Sequence, residues 1–259
     1  MEFLTIYLNG LYFILGGVTI LWIISVLIKN ASIVDIGWGP GFVLAAVVYY
    51  YLLPAPSLKT SLLLILVAIW GLRLGIYLAI RNIGKGEDYR YQQFRQDYGP
   101  HRYWWVSFFQ VFLLQGVLMW LISSAILGGM KTPHAGLKIL DYVAIGIWLI
   151  GFFFESVGDL QLARFKANPK NKGKVLNNGL WKYTRHPNYF GDATVWLAYG
   201  LFSVASGYYW PLLGSALMIF LIIKISGVSL LERSLKTKRE GYDEYIRKTS
   251  AFIPWFPKK

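Results

Sequence analysis

The stretch TSLLLILVAIWGLRLGIYLAIRN, residues 60–82, is a nearly unbroken apolar run. A helix of about 20 such residues crosses the hydrocarbon core of a bilayer. Trp70, Arg73 and Tyr77 recur within this run at spacings of three and four residues, so a helix presents them on one face. Because a charge in hydrocarbon is costly unless it is paired or lines a wet cavity, Arg73 predicts either an acidic partner or a polar cavity.

Six more apolar runs approach or reach the length of a membrane span. Composition agrees, since 56% of the 259 residues are hydrophobic and 15% are charged. The seven runs are residues 7–28, 38–54, 60–82, 105–127, 138–160, 191–206 and 210–227. We therefore predict an all-α integral membrane protein that forms a single membrane domain, a bundle of seven transmembrane helices.

Lysine and arginine are distributed unevenly over the predicted loops. With an external N-terminus and a cytoplasmic C-terminus, 21 of the 26 basic residues lie in cytoplasmic segments, which is the asymmetry expected of a membrane protein. The formal net charge of +13 then lies on the cytoplasmic face, where it suits anionic lipids or a phosphorylated cofactor better than nucleic acid. Cysteine is absent and the three histidines are far apart, so no metal site is expected.

Asp35 lies directly before the second predicted span, in the segment NASIVDIGWGPG (residues 30–41). Gly37, Gly39 and Pro40 follow it and are expected to break a helix and to let the backbone approach a ligand. An acid at the mouth of a span is costly unless it is used or paired. A catalytic Asp35 and a structural Asp35, which caps the second helix or pairs with Arg73, both stay open.

Two other polar segments suggest a cavity in the cytoplasmic half of the bundle. The predicted loop 82–104 contains GEDYRY (residues 86–91), whose two acids, arginine and two tyrosines suit recognition of a polar ligand. The remainder of this loop, residues 92–103, is typical of a solvated segment with interfacial aromatic residues. In the fifth span, Glu155 and Asp159 are one helical turn apart.

The segment GLWKYTRHPNYFGD, residues 179–192, is unusually polar for the start of a span. Pro187 suits the first turn of a helix, on which Asn188 and Asp192 share a face. A helix cap and an interfacial aromatic belt explain Tyr183, Asn188 and Asp192 individually. They do not explain the block Arg185–Tyr189.

This segment resembles the signature Gly-Trp-(x)-Tyr-(x)-Arg-His-Pro-Asn-Tyr-(x)-Gly-Asp of membrane sterol reductases. It is similar, more loosely, to steroid 5-alpha-reductases and to isoprenylcysteine carboxyl methyltransferases. Together with VDIGW, GEDYRY and the tail GYDEYIRKTSAFIPW, the chain resembles a bacterial family of seven-helix membrane proteins that is placed with the steroid 5-alpha-reductases.

The resemblance implies an NADPH-dependent reductase that acts on the carbon–carbon double bond of a lipidic enone, such as a 3-oxo-Δ4 steroid. An S-adenosylmethionine-dependent methyltransferase of lipids or prenylated substrates is the alternative, and a non-catalytic sterol-binding protein is a third possibility. The phosphates of NADPH need several cations, and the predicted loop 161–190 supplies seven, which favours the reductase. Asp192 is the residue that best distinguishes the reductase from the methyltransferase, because the related methyltransferases usually lack an acid there.

The resemblance also assigns cofactor contacts, mostly in residues 138–259, the predicted cofactor-binding half. It implies that Asn188 and Asp192 contact the nicotinamide and its ribose. Asp159, with Arg164 or Lys166, is expected along the adenine ribose and phosphates, and Lys174 stands where an arginine is expected. Glu232 and Arg233 stand where the steroid enzymes place histidine and tyrosine. The other predicted cofactor contacts are Tyr183, Arg185, His186 and Tyr189.

Residues 1–104 are expected to form the substrate side. By the resemblance, Asp35 occupies the place of an acid that works with a tyrosine on the substrate carbonyl. Trp70 fills the tyrosine's own place, so the predicted hydroxyl donors are Tyr77, Tyr89 and Tyr91. The predicted substrate contacts are Trp38, Trp70 and Arg73. The steroid or another isoprenoid would enter from the lipid and NADPH from the cytoplasm, a hydride would add to the β-carbon, and the tyrosine would stabilise the enolate oxygen.

Overall fold

The computed structural model describes residues 2–132, 136–226 and 241–258. Within these ranges every regular element is helical, apart from one isolated bridge between Thr184 and Ser250. The helices are α1 (Phe3–Leu27), α2 (Ile33–Leu52), α3 (Leu58–Asn82), α4 (Tyr89–Tyr98), α5 (Pro100–Ser107), α6 (Leu114–Met130), α7 (Ile139–Ala167), α8 (Pro187–Ala205), α9 (Leu212–Phe220) and α10 (Tyr242–Lys248). The prediction of an all-α protein is confirmed for this part of the chain.

Five helical runs in the described ranges are long and apolar enough to cross a membrane. They are Phe3–Leu27, Ile33–Leu52, Leu58–Asn82, His101–Met130 and Ile139–Ala167. The fourth run joins α5 to α6 through a π-helical turn, Phe108–Leu113. By length and composition the chain is therefore a multi-pass membrane protein.

The last two predicted spans correspond to weaker candidates. Helix α8 has 19 residues but carries the polar residues Asn188 and Asp192 in its first turns, and it is not among the five. The apolar run Leu212–Ile225 is shorter than those five. The count of seven spans and the orientation of the termini stay predictions.

The chain forms two compact units. The first unit comprises Met1–Leu137 and Ser203–Gly214, and the second comprises Lys138–Phe202 and Ser215–Lys259. Each unit is described below by its own contacts.

In the first unit, glycines bring the backbones of α2 and α3 together. A Cβ atom added to Gly39 would collide with the carbonyl group of Gly71, and one added to Gly75 would lie 2.8 Å from Cγ of Pro40. Such small-residue contacts are a common way for membrane helices to pack closely. The prediction that Gly37, Gly39 and Pro40 break the helix is wrong, because α2 continues through all three.

The predicted loop 82–104 is largely helical, which corrects its description as a solvated loop. Asp88 caps α4, since its Oδ1 accepts a hydrogen bond from the backbone N–H of Arg90 at 3.0 Å. Gly99, with φ of 72°, separates α4 from α5. This pair of short helices presents Arg90 and Tyr91 to the start of α2.

In the second unit, α7 and α8 also meet through glycines. A Cβ atom added to Gly151 would lie 2.7 Å from the backbone nitrogen of Val195, and one added to Gly158 would lie 3.0 Å from that of Asn188. A Cβ atom on Gly191 would collide with the backbone nitrogen of Glu155. The glycine of the Asn-Tyr-Phe-Gly-Asp sequence therefore allows the two helices to touch beside the polar residues of the motif.

Candidate functional site

Asp35 lies in the first turn of α2 and accepts two hydrogen bonds from α4. Tyr91 donates its hydroxyl hydrogen to Oδ1 at 2.7 Å, and Nη2 of Arg90 donates to Oδ2 at 3.0 Å. Tyr91 is buried, with 4% of its surface exposed. Each oxygen of this carboxylate therefore has its own donor, one neutral and one cationic.

Arg90 is shared between two acids. Its Nε donates to Oδ1 of Asp88 at 2.9 Å, while Nη2 donates to Asp35. The backbone N–H of Asp88 in turn donates to the hydroxyl of Ser32, the residue before α2. These contacts join α4 to the start of α2 through charged hydrogen bonds, which are stronger than neutral ones.

The pKa values in this cluster follow from burial and from the charges. Burial raises the pKa of Tyr91 well above its usual range, and the charge of Asp35 and the hydrogen bond to it act in the same direction. For Asp88, burial acts to raise the pKa, but the hydrogen bonds and the charge of Arg90 outweigh it and lower the pKa. Tyr91 is therefore a neutral hydroxyl over the whole physiological pH range.

Glu87, the remaining acid of GEDYRY, is engaged within the protein. Glu87 accepts two hydrogen bonds of 2.9 Å from Arg95 and one of 2.8 Å from the backbone N–H of Ala31. The guanidinium group of Arg95 also lies over the ring of Tyr103, 4.5 Å from its centroid. These contacts explain Glu87 without an external ligand. Tyr89 is 67% exposed.

The predicted substrate contacts lie on α2 and α3. The rings of Trp38 and Phe42 are 5.5 Å apart, and those of Phe42 and Trp70 are 5.8 Å apart. Trp70 is fully buried, so in this structure it belongs to the core of the first unit. Arg73 and Tyr77 are half-buried, and the Tyr77 ring centroid lies 5.9 Å from the guanidinium carbon of Arg81.

In the second unit, the motif of residues 179–192 meets the acids of α7. Nδ2 of Asn188 donates to Oδ1 of Asp159 at 3.0 Å, and both Glu155 and Asp159 are buried. Oδ1 of Asn188 is buried and has no hydrogen-bond partner among the residues that the structure describes. An acceptor in this position fits the carboxamide N–H of a nicotinamide, and it equally fits the ammonium group of S-adenosylmethionine.

Arg185, a predicted cofactor contact, holds the C-terminal segment. Its Nη1 donates to the carbonyl oxygens of Thr249 at 2.6 Å and Ile246 at 3.1 Å. Cationic side chains stabilise the last carbonyls of a helix, and here these carbonyls end α10. This role accounts for the buried guanidinium group without a ligand, and a cofactor contact stays a prediction.

The neighbours of Arg185 bind the same tail. The hydroxyl of Thr184 donates to the carbonyl of Phe252 at 2.8 Å, and the backbone N–H of Trp255 donates to the carbonyl of Tyr183 at 2.9 Å. His186 is buried, and its ring centroid lies 5.9 Å from that of Tyr189. Within the Arg-His-Pro-Asn-Tyr block, Arg185 thus contacts the C-terminal tail, whereas Asn188 contacts α7.

The predicted phosphate contacts are exposed side chains at the end of α7 and beyond it. Arg164, Lys166 and Lys174 are exposed. Near them is a cavity of about 310 Å³, lined by Phe165, Lys166, Asn168, Pro169, Asn171, Lys172 and Gly173. Two lysines in one cavity suit an anionic group. No sequence pattern pointed to the asparagines that line it.

The structure therefore groups the predicted residues within each unit. Asp35 and Tyr91 meet in the first unit, whereas Asp159 and Asn188 meet in the second. Arg90 was missed as a site residue; its place beside Tyr91 in GEDYRY was a possible signal. Glu232 and Arg233 lie outside the described residues. In the described ranges no group of three or more His, Cys, Asp or Glu residues is arranged to hold a metal ion.

Comparisons with known proteins add a family context. A family model described as a protein of unknown function, DUF1295, matches residues 21–249; that family lies in the steroid 5-alpha-reductase superfamily. An uncharacterized protein of Schizosaccharomyces pombe is 28% identical over 219 residues, which cover 74% of this chain and 62% of the relative. No solved structure matches significantly.

Two relatives with named activities match over shorter regions. The human 3-oxo-5-alpha-steroid 4-dehydrogenase 1 is 27% identical over 106 residues, which cover 41% of this chain and 35% of the relative. A probable O-methyltransferase, ustE of Ustilaginoidea virens, is 43% identical over 68 residues, which cover 26% of this chain and 23% of the relative. The chain thus spans less than two thirds of each of these relatives.

Proposed function

This chain belongs to the DUF1295 family within the steroid 5-alpha-reductase superfamily, and from this membership we propose that it is an NADPH-dependent oxidoreductase. The proposed reaction is reduction of the carbon–carbon double bond of a lipidic enone. The proposed substrate class is a 3-oxo-Δ4 steroid, which would give the 5α-reduced product. The activity would thus resemble that named for the human relative.

The contact of Tyr91 with Asp35 is the observation that carries this proposal. Reduction of an enone needs a hydrogen-bond donor at the carbonyl oxygen, because that oxygen gains negative charge when the β-carbon accepts a hydride. A buried tyrosine hydroxyl 2.7 Å from a carboxylate is a neutral donor held in one place. Methyl transfer to an oxygen nucleophile builds up no new negative charge on a substrate carbonyl, so it does not require such a donor.

Asp35 and Tyr91 would have different roles in the proposed reaction. Before substrate binds, Asp35 would hold the Tyr91 hydroxyl in position, and on binding Tyr91 would donate to the carbonyl oxygen instead. NADPH, when bound, supplies the hydride for the β-carbon. The α-carbon would then take a proton, with water as the candidate donor. One hydride and one proton are added across the double bond, so the reaction is balanced.

Cofactor binding is proposed for the second unit. Oδ1 of Asn188 would accept from the carboxamide of the nicotinamide, and Asp192, one turn further along α8, would contact its ribose. Asp159 would keep Asn188 oriented through their 3.0 Å hydrogen bond. Arg164, Lys166 and Lys174 would bind the phosphates, for which their exposed charges are suited.

The membrane arrangement is part of the same proposal. We place the N-terminus outside and the C-terminus in the cytoplasm, with α8 and the Leu212–Ile225 run completing seven spans. In this orientation the basic segments lie in the cytoplasm, where NADPH is available. The lipidic substrate would enter from the bilayer. In a bacterium the site would face the cytoplasm from the inner membrane.

Methyl transfer is the second candidate function. The observation that favours it is the 43% identity to the probable O-methyltransferase over 68 residues. In that case the free acceptor on Asn188 would bind the ammonium of S-adenosylmethionine, and the substrate would be a lipid or a prenylated group. The presence of Asp192 argues against it, because the resemblance implies that the related methyltransferases usually lack an acid there.

Calorimetry in detergent distinguishes the two. Purified protein should bind NADPH more tightly than NADH and more tightly than S-adenosylmethionine, because the 2′-phosphate adds a charged contact to the basic segment. Tighter binding of S-adenosylmethionine would contradict the reductase and support the methyltransferase.

A further inference from the structure

We propose that Arg90 is a positioning residue, which holds the Asp35 carboxylate while the Tyr91 hydroxyl turns from that carboxylate to the substrate carbonyl. The inference rests on the proposed function. It adds a role for a cation that contacts neither the substrate carbonyl nor the cofactor in the proposed scheme.

A tyrosine hydroxyl has a single hydrogen to donate. In this structure that hydrogen is donated to Oδ1 of Asp35. Tyr91 therefore cannot donate to a carbonyl oxygen without giving up this bond. Binding of an enone requires the hydroxyl to rotate, and Oδ1 then loses its donor.

When a carboxylate that is shielded from water loses a hydrogen-bond donor, a large part of its desolvation cost is no longer compensated. The Asp35 side chain is 18% exposed, so water replaces the lost bond only in part. Arg90 compensates, because the bond from its Nη2 to Oδ2, 3.0 Å long, does not involve the Tyr91 hydroxyl. The rotation therefore leaves an ion pair behind rather than an isolated anion.

The positive charge of Arg90 also affects the negative charge that develops on the substrate carbonyl oxygen. The guanidinium carbon of Arg90 lies 5.3 Å from the centroid of the Tyr91 ring. Without it, the negative charge of Asp35 would repel the negative charge that forms on the substrate oxygen. Among the described residues, Asp88 shares Arg90 and the charge of Arg81 acts on Asp88, while Tyr91 is a neutral neighbour.

Arg95 offers a matched comparison for a purely structural role. It lies on the same helix, α4, and pairs with Glu87 at 2.9 Å. The two arginine side chains are similarly exposed, 38% for Arg90 and 34% for Arg95. Arg95 also anchors α4 to the segment before α2, through the carbonyl of Lys29 at 3.3 Å, but its described partners do not include Asp35 or Tyr91.

The test compares kcat and KM of enone reduction for wild type, Arg90→Gln, Arg90→Lys and Arg95→Gln, with melting temperatures measured alongside. In Arg90→Gln, kcat should fall about tenfold with KM little changed, as expected for a group that acts mainly in the transition state.

The other variants separate charge from anchoring. Arg90→Lys keeps a cation, so its kcat per folded molecule should stay above that of Arg90→Gln. Arg95→Gln should lose thermal stability and keep the wild-type kcat and KM. The inference is overturned if Arg90→Lys loses as much kcat as Arg90→Gln, or if Arg90→Gln and Arg95→Gln have the same kcat per folded molecule. A wild type that reduces no enone overturns both this inference and the proposed function.

Discussion

Asn188 donates a hydrogen bond of 3.0 Å to Asp159 and so joins the first turn of α8 to α7. The bond is possible because Gly158 leaves room for the backbone of Asn188, to which an added Cβ atom would come within 3.0 Å. A polar pair and a small residue therefore act together at the predicted cofactor site. Loss of either has a distinct expected result.

Asn188→Ala should weaken NADPH binding by about tenfold, since it removes one hydrogen bond to the cofactor, worth about 1 kcal/mol or somewhat more. Calorimetry in detergent measures the affinity, and a thermal melt reports whether the fold is intact. Asn177→Ala, at an exposed asparagine, is the control and should bind as wild type does. Wild-type affinity in Asn188→Ala would mean that the residue serves only the contact between α7 and α8.

Gly191→Ala should destabilise the second unit by about 1–3 kcal/mol, the usual cost of forcing a methyl group into a packed contact. The new Cβ atom would collide with the backbone nitrogen of Glu155, and backbone moves less readily than a side chain. Gly146→Ala on α7 is the matched control, because a Cβ atom there meets nothing within 4 Å. Equal melting temperatures for the two variants would show that α7 and α8 are not in backbone contact.

The hydroxyl of Tyr91 should be required for turnover. Tyr91→Phe and Asp35→Asn should each lower kcat by about a hundredfold or more, with NADPH affinity and melting temperature little changed, because stabilisation of the transition-state oxygen is lost. Tyr98→Phe, on the same helix, is the control and should keep the wild-type kcat.

Tyr77→Phe and Tyr89→Phe complete this series. Each should lose less activity than Tyr91→Phe. If Tyr91→Phe turns over at the wild-type rate, the hydroxyl donor lies elsewhere. A fall in melting temperature without loss of turnover per folded molecule in Asp35→Asn would show that Asp35 is structural.

Arg185→Ala should release the C-terminal tail. The substitution removes the hydrogen bonds to the carbonyls of Thr249 and Ile246, and loss of a buried charged donor costs about 1–3 kcal/mol. Hydrogen exchange of α10 amides should accelerate more than exchange of α7 amides. Unchanged protection of α10, with NADPH binding lost, would assign Arg185 to the cofactor instead.

Hydropathy predicted the membrane helices well, because the bilayer fixes how long an apolar helix must be. It could not predict that α2 continues through Pro40, since that depends on Gly75 of another helix making room for the proline ring. Residues 191–206 are predicted as a span from their apolar composition, whereas the polar first turns of α8 lower the hydropathy of the whole helix below that of the five clear candidates.

The sequence marked Asp35 as a candidate site residue because an acid beside a span is costly. Its partners could not be deduced, since Arg90 and Tyr91 are 55 and 56 residues away and the choice among three tyrosines depends on how α4 packs. Arg185 shows the opposite case. Its described acceptors include backbone carbonyls, which every residue has, so no sequence pattern distinguished that structural use from a phosphate contact.

The central claim, reduction of a lipidic enone by NADPH, is tested most directly by following the transferred hydrogen. Purified protein in detergent is incubated with a 3-oxo-Δ4 steroid and NADPH that carries deuterium at the transferred position, and the product is analysed by mass spectrometry and NMR. The account predicts a 5α-reduced steroid with deuterium on the β-carbon and a solvent-derived hydrogen on the α-carbon. Absence of reduced steroid, together with methylation of a lipid when S-adenosylmethionine is supplied, would contradict it.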